Sequence, residues 1–265
     1  KIPIGHVEAG LRTGNIYLPW PEEGNRKLTG ALSNIHFAPT ITSRDNLISE
    51  GIKAKQIHIT GNTVIDALLY ILEDNKTKNV EISKKIKLSS GLNTEKKYIL
   101  ITAHRRENFG EGMKNICNAI TNLAIKFKDY QFAFPVHFNP NVQKIVYELL
   151  GGLDNVILFE PVDYSTMVHL LENCTLVLTD SGGIQEEAPA LGKPVLVMRD
   201  TSERPEAIQA GTAKLVGTNV DGIVDTVKEV LLNKDVFNEM ANAINPYGDG
   251  SSAKKIILAL KKYYQ

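Results

Sequence analysis

The sequence has little of several features that mark specialised protein classes. Its two cysteines, Cys117 and Cys174, are too few for a disulfide framework, and both lie in apolar stretches typical of reduced, buried thiols. Thirty basic residues balance thirty acidic ones, so no net field attracts nucleic acid or an anionic membrane. The sequence shows no signal peptide and no apolar run of membrane-spanning length, and we therefore expect a cytoplasmic protein.

Familiar catalytic signatures are also missing. No set of His, Cys and Asp residues has metal-ligand spacing, GxSxG is absent, and no Ser-His-Asp arrangement stands out. The chain has 265 residues, of which 43% are apolar and 23% charged, which fits one large or two ordinary globular domains.

Short β-branched runs alternate along the chain with longer amphipathic ones. The predicted strands are Ile35–Ala38, Ile57–Thr60, Tyr98–Thr102, Phe132–Val136, Val156–Phe159, Leu176–Thr179, Pro194–Val197 and Lys214–Val216, with strand-like residues also at Ile2–Ile4. The predicted helices are Arg44–Glu50, Val64–Glu73, Met113–Phe127, Val142–Leu150, Thr166–Asn173, Gly222–Leu232 and Ser252–Tyr264. This alternation predicts α/β architecture with parallel sheets covered by helices on both faces.

Composition divides the chain into segments. Residues 76–96 are rich in Lys, Ser, Thr and Asn and have little periodicity, which predicts a linker, with room for a short helix, between residues 1–75 and a complete α/β unit at 97–245. Residues 246–265 end in an amphipathic helix. Gly51 is predicted to cap one helix in a left-handed conformation, and Ser165 to cap another at its N-terminus.

A glycine turn follows the predicted strand Leu176–Thr179, in the sequence LVLTDSGGIQEEAPAL. Small residues between a strand and a helix let the backbone approach a phosphate, so Ser181, Gly182 and Gly183 are candidates to hold a diphosphate. Glu187, one turn into the helix, is a candidate to accept hydrogen bonds from sugar hydroxyls. The alternatives are an ordinary tight turn and a solvated surface glutamate.

Basic residues follow three other predicted strands. The segment TAHRRENFGEG, which follows the predicted strand Tyr98–Thr102, contains His104, Arg105 and Arg106. Ligands bind at the carboxyl ends of parallel strands, so these residues are candidates to contact a phosphate. The alternative is a solvated basic turn. His137 also follows a strand. Arg204, in RDTSERPEAIQAG, is a candidate to reach a ribose or phosphate.

The N-terminal stretch holds three glutamates, Glu8, Glu22 and Glu23, in GHVEAGLRT and PWPEEGNR. Two carboxylates held in a cleft can divide acid and base duties when their environments separate their pKa values. The alternatives are a buried salt bridge from Glu8 to Arg12 or Arg26, and acids at a helix N-terminus for Glu22 or Glu23.

Together these blocks, with GNTVIDAL and NPYGDG, closely resemble the non-hydrolysing UDP-N-acetylglucosamine 2-epimerase family in sequence order across nearly the whole chain. The resemblance implies a GT-B-like fold, in which two Rossmann-like doubly wound parallel-sheet domains face across a cleft, the first domain being incomplete here. It implies a homodimer that needs no cofactor and no metal. Its implied reaction interconverts UDP-N-acetylglucosamine and UDP-N-acetylmannosamine at C2, through anti elimination of UDP to 2-acetamidoglucal and re-addition of UDP.

The resemblance also assigns roles by position. It implies acid/base catalysis by Glu8 and Glu22, diphosphate contacts by His104, Ser181, Gly182 and Gly183, ribose contacts by Glu187, nucleotide contact by Arg204, uracil near Pro161–Met167, and an activating second site at Arg105, Arg106 and His137. Met167 stands where some members carry an aromatic residue.

The first residue, Lys1, lies inside the family's first domain, and the family's preceding segment contributes further active-site residues. We therefore expect either a longer native protein or an inactive fragment. The competing functions are a UDP-sugar-dependent glycosyltransferase, a hydrolysing epimerase and a UDP-binding chain without turnover.

Overall fold

The computed structural model describes residues 2–17, 20–202 and 204–265. It separates into two compact units. The first unit comprises the residues up to Leu69 together with Asn245–Gln265, and the second unit comprises Tyr70–Ile244. No helix within the described ranges is long and apolar enough to cross a membrane.

Strands and helices alternate along both units. The strands are β1 (Gly5–Val7), β2 (Ile35–Ala38), β3 (Ile57–Ile59), β4 (Tyr98–Thr102), β5 (Gln131–Pro135), β6 (Val156–Phe159), β7 (Leu176–Thr179), β8 (Val195–Val197) and β9 (Ala213–Leu215). The helices are α1 (Glu22–Leu32), α2 (Ile41–Ser49), α3 (Thr63–Lys76), α4 (Asn79–Ser90), α5 (Glu111–Lys126), α6 (Pro140–Leu150), α7 (Tyr164–Asn173), α8 (Ile184–Ala190), α9 (Pro205–Gln209), α10 (Val220–Leu232), α11 (Lys234–Asn242) and α12 (Ser252–Tyr263).

The first unit is built on a parallel sheet with strand order β1-β2-β3. On one face Ala38 and Leu47 pack with Ala9 and Ile57. Another apolar cluster joins Ile35 and Phe37 of β2 to Ile256 of α12, so the C-terminal helix shares the core of this sheet.

The second unit contains a six-stranded parallel sheet with strand order β6-β5-β4-β7-β8-β9. This is the order of a doubly wound Rossmann sheet, whose topological switch point lies between the first and fourth strands, here β4 and β7. The central strands are buried along their whole length, and the apolar faces of α5, α6 and α10 pack on them. Residues that follow β4 and β7 are therefore brought together at one sheet edge.

The structure corrects several local predictions. The N-terminal strand begins at Gly5, after Ile2–Ile4. Residues 76–96 contain a helix of 12 residues, α4, whose Ile82 and Ile86 are buried. Helices α1 and α11 fall outside the predicted ranges.

The two predicted caps had different outcomes. Gly51 has φ +88° and its amide donates to the Ile48 carbonyl at 2.9 Å, which confirms the left-handed cap. Ser165 is wrong as a cap. Helix α7 already begins at Tyr164, and the cap is Asp163, whose carboxylate accepts from the Thr166 amide at 2.8 Å.

The C-terminal helix α12 buries one side only. Ile256 is buried, whereas the neighbouring Ile257 is 53% exposed.

Candidate active site

A fully buried carboxylate organises the switch point of the second unit. Asp180 directly follows β7 and accepts hydrogen bonds from the backbone amides of His104, at 2.9 Å, and Arg105, at 2.8 Å. The Asn108 side-chain amide adds a third, at 3.0 Å. Because a buried carboxylate is tolerated only when it is hydrogen-bonded, Asp180 fixes the turn after β4 against β7.

The His104 ring lies beside this carboxylate. Its Nδ1 is 3.6 Å from Asp180 Oδ1, and its ring stacks on that of His137 with centroids 5.2 Å apart and planes 15° from parallel. Burial lowers the pKa of His104, Asp180 opposes that shift, and Arg105 and His137 reinforce it. His104 is therefore biased toward the neutral form before an anion binds.

A pocket of 190 Å³ opens at the same edge. It is lined by His104 and His137, by Pro161, Val162 and Met167, and by residues of the neighbouring turns, namely Thr102, Ala103, Pro135, Ser181 and Ile184. The pocket thus joins histidines to the segment predicted to hold uracil. Apolar walls with a few polar groups are typical of a small-molecule site.

The glycine turn after Asp180 leads directly into α8. Gly183 has an ordinary helical φ of −63°, and a Cβ built there would meet nothing within 4 Å. Neither backbone strain nor packing in the described structure requires a glycine at this position, which weakens the alternative of an ordinary tight turn. The Ser181 amide donates to the Thr179 hydroxyl at 2.9 Å, so this amide is already engaged.

Glu187 is held by a tyrosine that the sequence did not single out. The Tyr164 hydroxyl donates to Glu187 Oε1 at 2.5 Å, and Glu187 is only 6% exposed. Burial raises the pKa of Glu187, and the hydrogen bond from Tyr164 opposes that shift. The alternative of a solvated surface glutamate is therefore wrong.

Arg204 and the basic turn differ in burial. Arg204 is buried and forms an ion pair with buried Glu186. Arg105 donates from Nε to the Asp180 carbonyl at 3.3 Å, whereas Arg106 is exposed. The nucleotide-binding role of Arg204 and the second-site roles of Arg105, Arg106 and His137 stay predictions.

In the first unit, Glu8 follows β1 and is exposed. Its φ of +63° is unusual for a residue with a side chain, and Asn62 donates from Nδ2 to Glu8 Oε1 at 3.0 Å. Of the two partners considered from the sequence, Arg12 forms a two-point ion pair with Glu50, both contacts at 2.8 Å, and a salt bridge to Arg26 stays a prediction.

The two adjacent glutamates of α1 have different environments. Glu23 is fully buried and accepts from the amides of Thr13, at 3.2 Å, and Gly14, at 3.3 Å, so it holds the loop before the helix. Glu22 is exposed in the first helical turn, as its alternative interpretation also expected. Glu22 and Glu23 therefore differ in solvent access. Pro19 of the PWPEEGNR motif lies outside the described residues.

A histidine pair lies on the sheet of the first unit. His6 and His36 face each other across β1 and β2, with ring centroids 6.3 Å apart. Burial lowers the pKa of His6 to about 4, with smaller contributions from His36, Arg12 and Arg26. A neutral histidine two residues before Glu8 adds no positive charge beside that carboxylate near pH 7.

Comparison with known proteins decides the family. The family model described as UDP-N-acetylglucosamine 2-epimerase matches residues 1–261. The chain belongs to this family. A Yersinia pestis protein named UDP-N-acetylglucosamine 2-epimerase is 52% identical over 264 residues, which are 99% of this chain and 70% of that protein.

Solved structures of epimerases agree with this assignment. A Neisseria meningitidis UDP-GlcNAc 2-epimerase, solved bound to UDP-GlcNAc, matches with a TM-score of 0.92 and 50% identity, covering 98% of this chain and 70% of that one. The S. aureus MnaA-UDP co-structure matches with a TM-score of 0.90 and 42% identity, covering 99% and 70%. The fold is thus α/β with parallel sheets, matching the GT-B-like epimerases.

Sequence analysis missed three residues that contact the candidates, namely Asp180 and Tyr164 in the second unit and Asn62 in the first. Asp180 gave one signal, a carboxylate at the end of an apolar strand, where burial demands partners. Tyr164 and Asn62 gave none, because their partners lie 23 and 54 residues away along the chain.

Proposed function

We propose that this protein interconverts UDP-N-acetylglucosamine and UDP-N-acetylmannosamine by inverting the configuration at C2. Support comes from family membership and, above all, from the switch point of the second unit. There Asp180 orders the turn that carries His104 beside the glycine turn Ser181–Gly183. This arrangement suits recognition of a nucleoside diphosphate.

In the proposed reaction a carboxylate removes the proton from C2 while the bond between C1 and the diphosphate oxygen breaks. The electron pair of the C–H bond forms the C1–C2 double bond of 2-acetamidoglucal, and the C–O pair leaves with UDP. UDP then adds back to C1, and a proton is delivered to the opposite face of C2. No net oxidation occurs, so acid/base groups suffice.

We assign these proton transfers to Glu8 and Glu22. Both are exposed and able to reach a substrate, in contrast to buried Glu23. His104 and the turn Ser181–Gly183 would bind the diphosphate, whose negative charge favours protonation of His104.

The nucleoside would contact the neighbouring side chains. Glu187, oriented by Tyr164, would accept from the ribose hydroxyls, and Arg204 would contact the nucleotide. Pro161, Val162 and Met167 in the 190 Å³ pocket would pack on uracil. A dimer, an activating second site at Arg105, Arg106 and His137, and a role in cell-surface polysaccharide synthesis complete the proposal.

The test is incubation with UDP-N-acetylglucosamine alone, followed by product separation. We expect UDP-N-acetylmannosamine. Free N-acetylmannosamine with UDP would indicate a hydrolysing epimerase. Unchanged substrate would rule out epimerisation by this chain; UDP binding by calorimetry would then indicate a chain that binds without turnover, and transfer on adding an acceptor would indicate a glycosyltransferase.

A further inference from the structure

Two sequence blocks, GNTVIDAL and NPYGDG, have no role in the proposed reaction, yet they meet in the first unit. The Asn62 amide donates to the carbonyl of fully buried Tyr247 at 2.7 Å. Gly61 has φ +83°, and a Cβ there would lie 2.6 Å from the Ser252 hydroxyl and 3.3 Å from Gly248 Cα. Only glycine fits this close approach, so the C-terminal segment fixes the backbone of Asn62.

The side-chain orientation of Asn62 follows from its partners. Its Oδ1 accepts from the Val64 amide at 3.1 Å at the start of α3. A backbone amide can only donate, so the oxygen of Asn62 must face Val64 and its NH2 group must face the other way. That group donates to Glu8 Oε1 at 3.0 Å, and Asn62 itself is 3% exposed.

The backbone of Glu8 has an unusual conformation. Glu8 follows β1 with φ +63°, in the left-handed region that residues with side chains seldom adopt. A residue in a sparsely populated backbone region persists when its surroundings impose it, and such residues cluster at functional sites. A buried donor with both its backbone and its oxygen fixed is suited to impose one carboxylate position.

We infer that Asn62 is a positioning residue for Glu8, holding the carboxylate where it exchanges a proton with C2 of the sugar. This inference rests on the proposed function. It also gives the two remaining blocks a joint role, in which NPYGDG holds GNTVIDAL and GNTVIDAL holds Glu8.

The test is Asn62→Asp in the whole chain. Aspartate keeps the shape and still accepts from the Val64 amide, since Asp and Asn cap helices about equally well. It replaces the donor to Glu8 by an acceptor. We expect the turnover rate to fall on the order of 100-fold with KM near wild type, because small misplacements of a reacting group cost about that much. A carboxylate at this buried position beside Glu8 also lowers the melting temperature, so turnover is measured well below the melting temperature of the variant.

Asn219→Asp is the control for an Asn-to-Asp change at a helix cap, since exposed Asn219 caps α10 through the Gly222 amide in the second unit. It should leave both turnover and melting temperature unchanged. An Asn62→Asp turnover rate within about threefold of wild type would overturn the inference.

A spectroscopic arm separates this inference from the proposed function. The side-chain amide resonances of Asn62, assigned by loss in Asn62→Asp, should shift in Glu8→Gln and stay in place in Glu22→Gln. If these resonances do not shift in Glu8→Gln, the contact is overturned, whether or not the chain turns over its substrate. Absence of epimerisation by the unmodified protein would instead count against the proposed function alone.

Discussion

The two units hold their candidate residues in opposite ways. In the second unit a buried carboxylate, Asp180, collects three donors and presets the turn carrying His104. In the first unit the candidate carboxylates Glu8 and Glu22 are exposed, and the buried side-chain amide of Asn62 donates to Glu8. A diphosphate is recognised best by a rigid site, whereas a group that exchanges protons with a substrate must remain accessible.

The comparison predicts its largest effect at Glu8. Glu8→Gln keeps the shape but removes the base, and we expect the turnover rate to fall about 1,000-fold, within the range that a positioned acid or base contributes. UDP affinity, measured by calorimetry, should be unchanged because the proposed diphosphate site is in the second unit. Loss of UDP affinity together with turnover would contradict this division.

Asp180→Asn should lower the stability of the second unit. The new NH2 group would face backbone donors instead of accepting from them, at a cost of about 2 kcal/mol in the free energy of unfolding. Urea denaturation measures it. Asp163→Asn is the control, since asparagine can keep the cap of α7. Equal stability of the two variants would show that Asp180 does not organise the turn.

Gly183→Ala should act on the ligand and not on the fold. The added methyl meets nothing within 4 Å and the backbone is helical, so the melting temperature should not fall. If a diphosphate lies against this turn, the methyl displaces it, and UDP affinity should fall about tenfold, since overpacking costs about 1–3 kcal/mol. Gly152→Ala, also in open space, is the control. Unchanged affinity in Gly183→Ala would place the diphosphate elsewhere.

Tyr164→Phe tests whether the hydrogen bond from Tyr164 to Glu187 supports nucleotide binding. Losing one hydrogen bond to Glu187 should weaken UDP binding about fivefold, equivalent to about 1 kcal/mol. Tyr70→Phe, on a side chain that is 75% exposed, should have no effect. Matching affinities for the two variants would separate Glu187 from nucleotide binding.

The smallest expected effect concerns the pH dependence of stability in the first unit. The pKa of His6 is about 4 in the folded protein against 6.5 for a free histidine. Between these values the unfolded chain binds the proton and the folded chain does not, so His6 makes the free energy of unfolding fall as the pH is lowered from 6.5 to 4. His6→Asn should flatten this fall in urea denaturation series. A variant with the wild-type slope would show that His6 is not shielded.

Sequence patterns predicted much of this fold, and its strands best. All eight strands in the predicted set lie within one residue of the observed ones, since buried parallel strands are short apolar runs. The extent of α4 was harder to predict, because its sequence is polar and only Ile82 and Ile86 are buried. The candidate turns were found because strand ends mark them, but pairs such as Tyr164 with Glu187 depend on how distant segments fold together.

The most direct test of the central claim is proton exchange at C2, followed by NMR of the sugar with UDP-N-acetylglucosamine in deuterated water. Abstraction and return of a proton by carboxylates predicts deuterium at C2, appearing together with UDP-N-acetylmannosamine and disappearing in Glu8→Gln. Epimer that retains the original hydrogen at C2, or undiminished exchange in Glu8→Gln, would contradict the account.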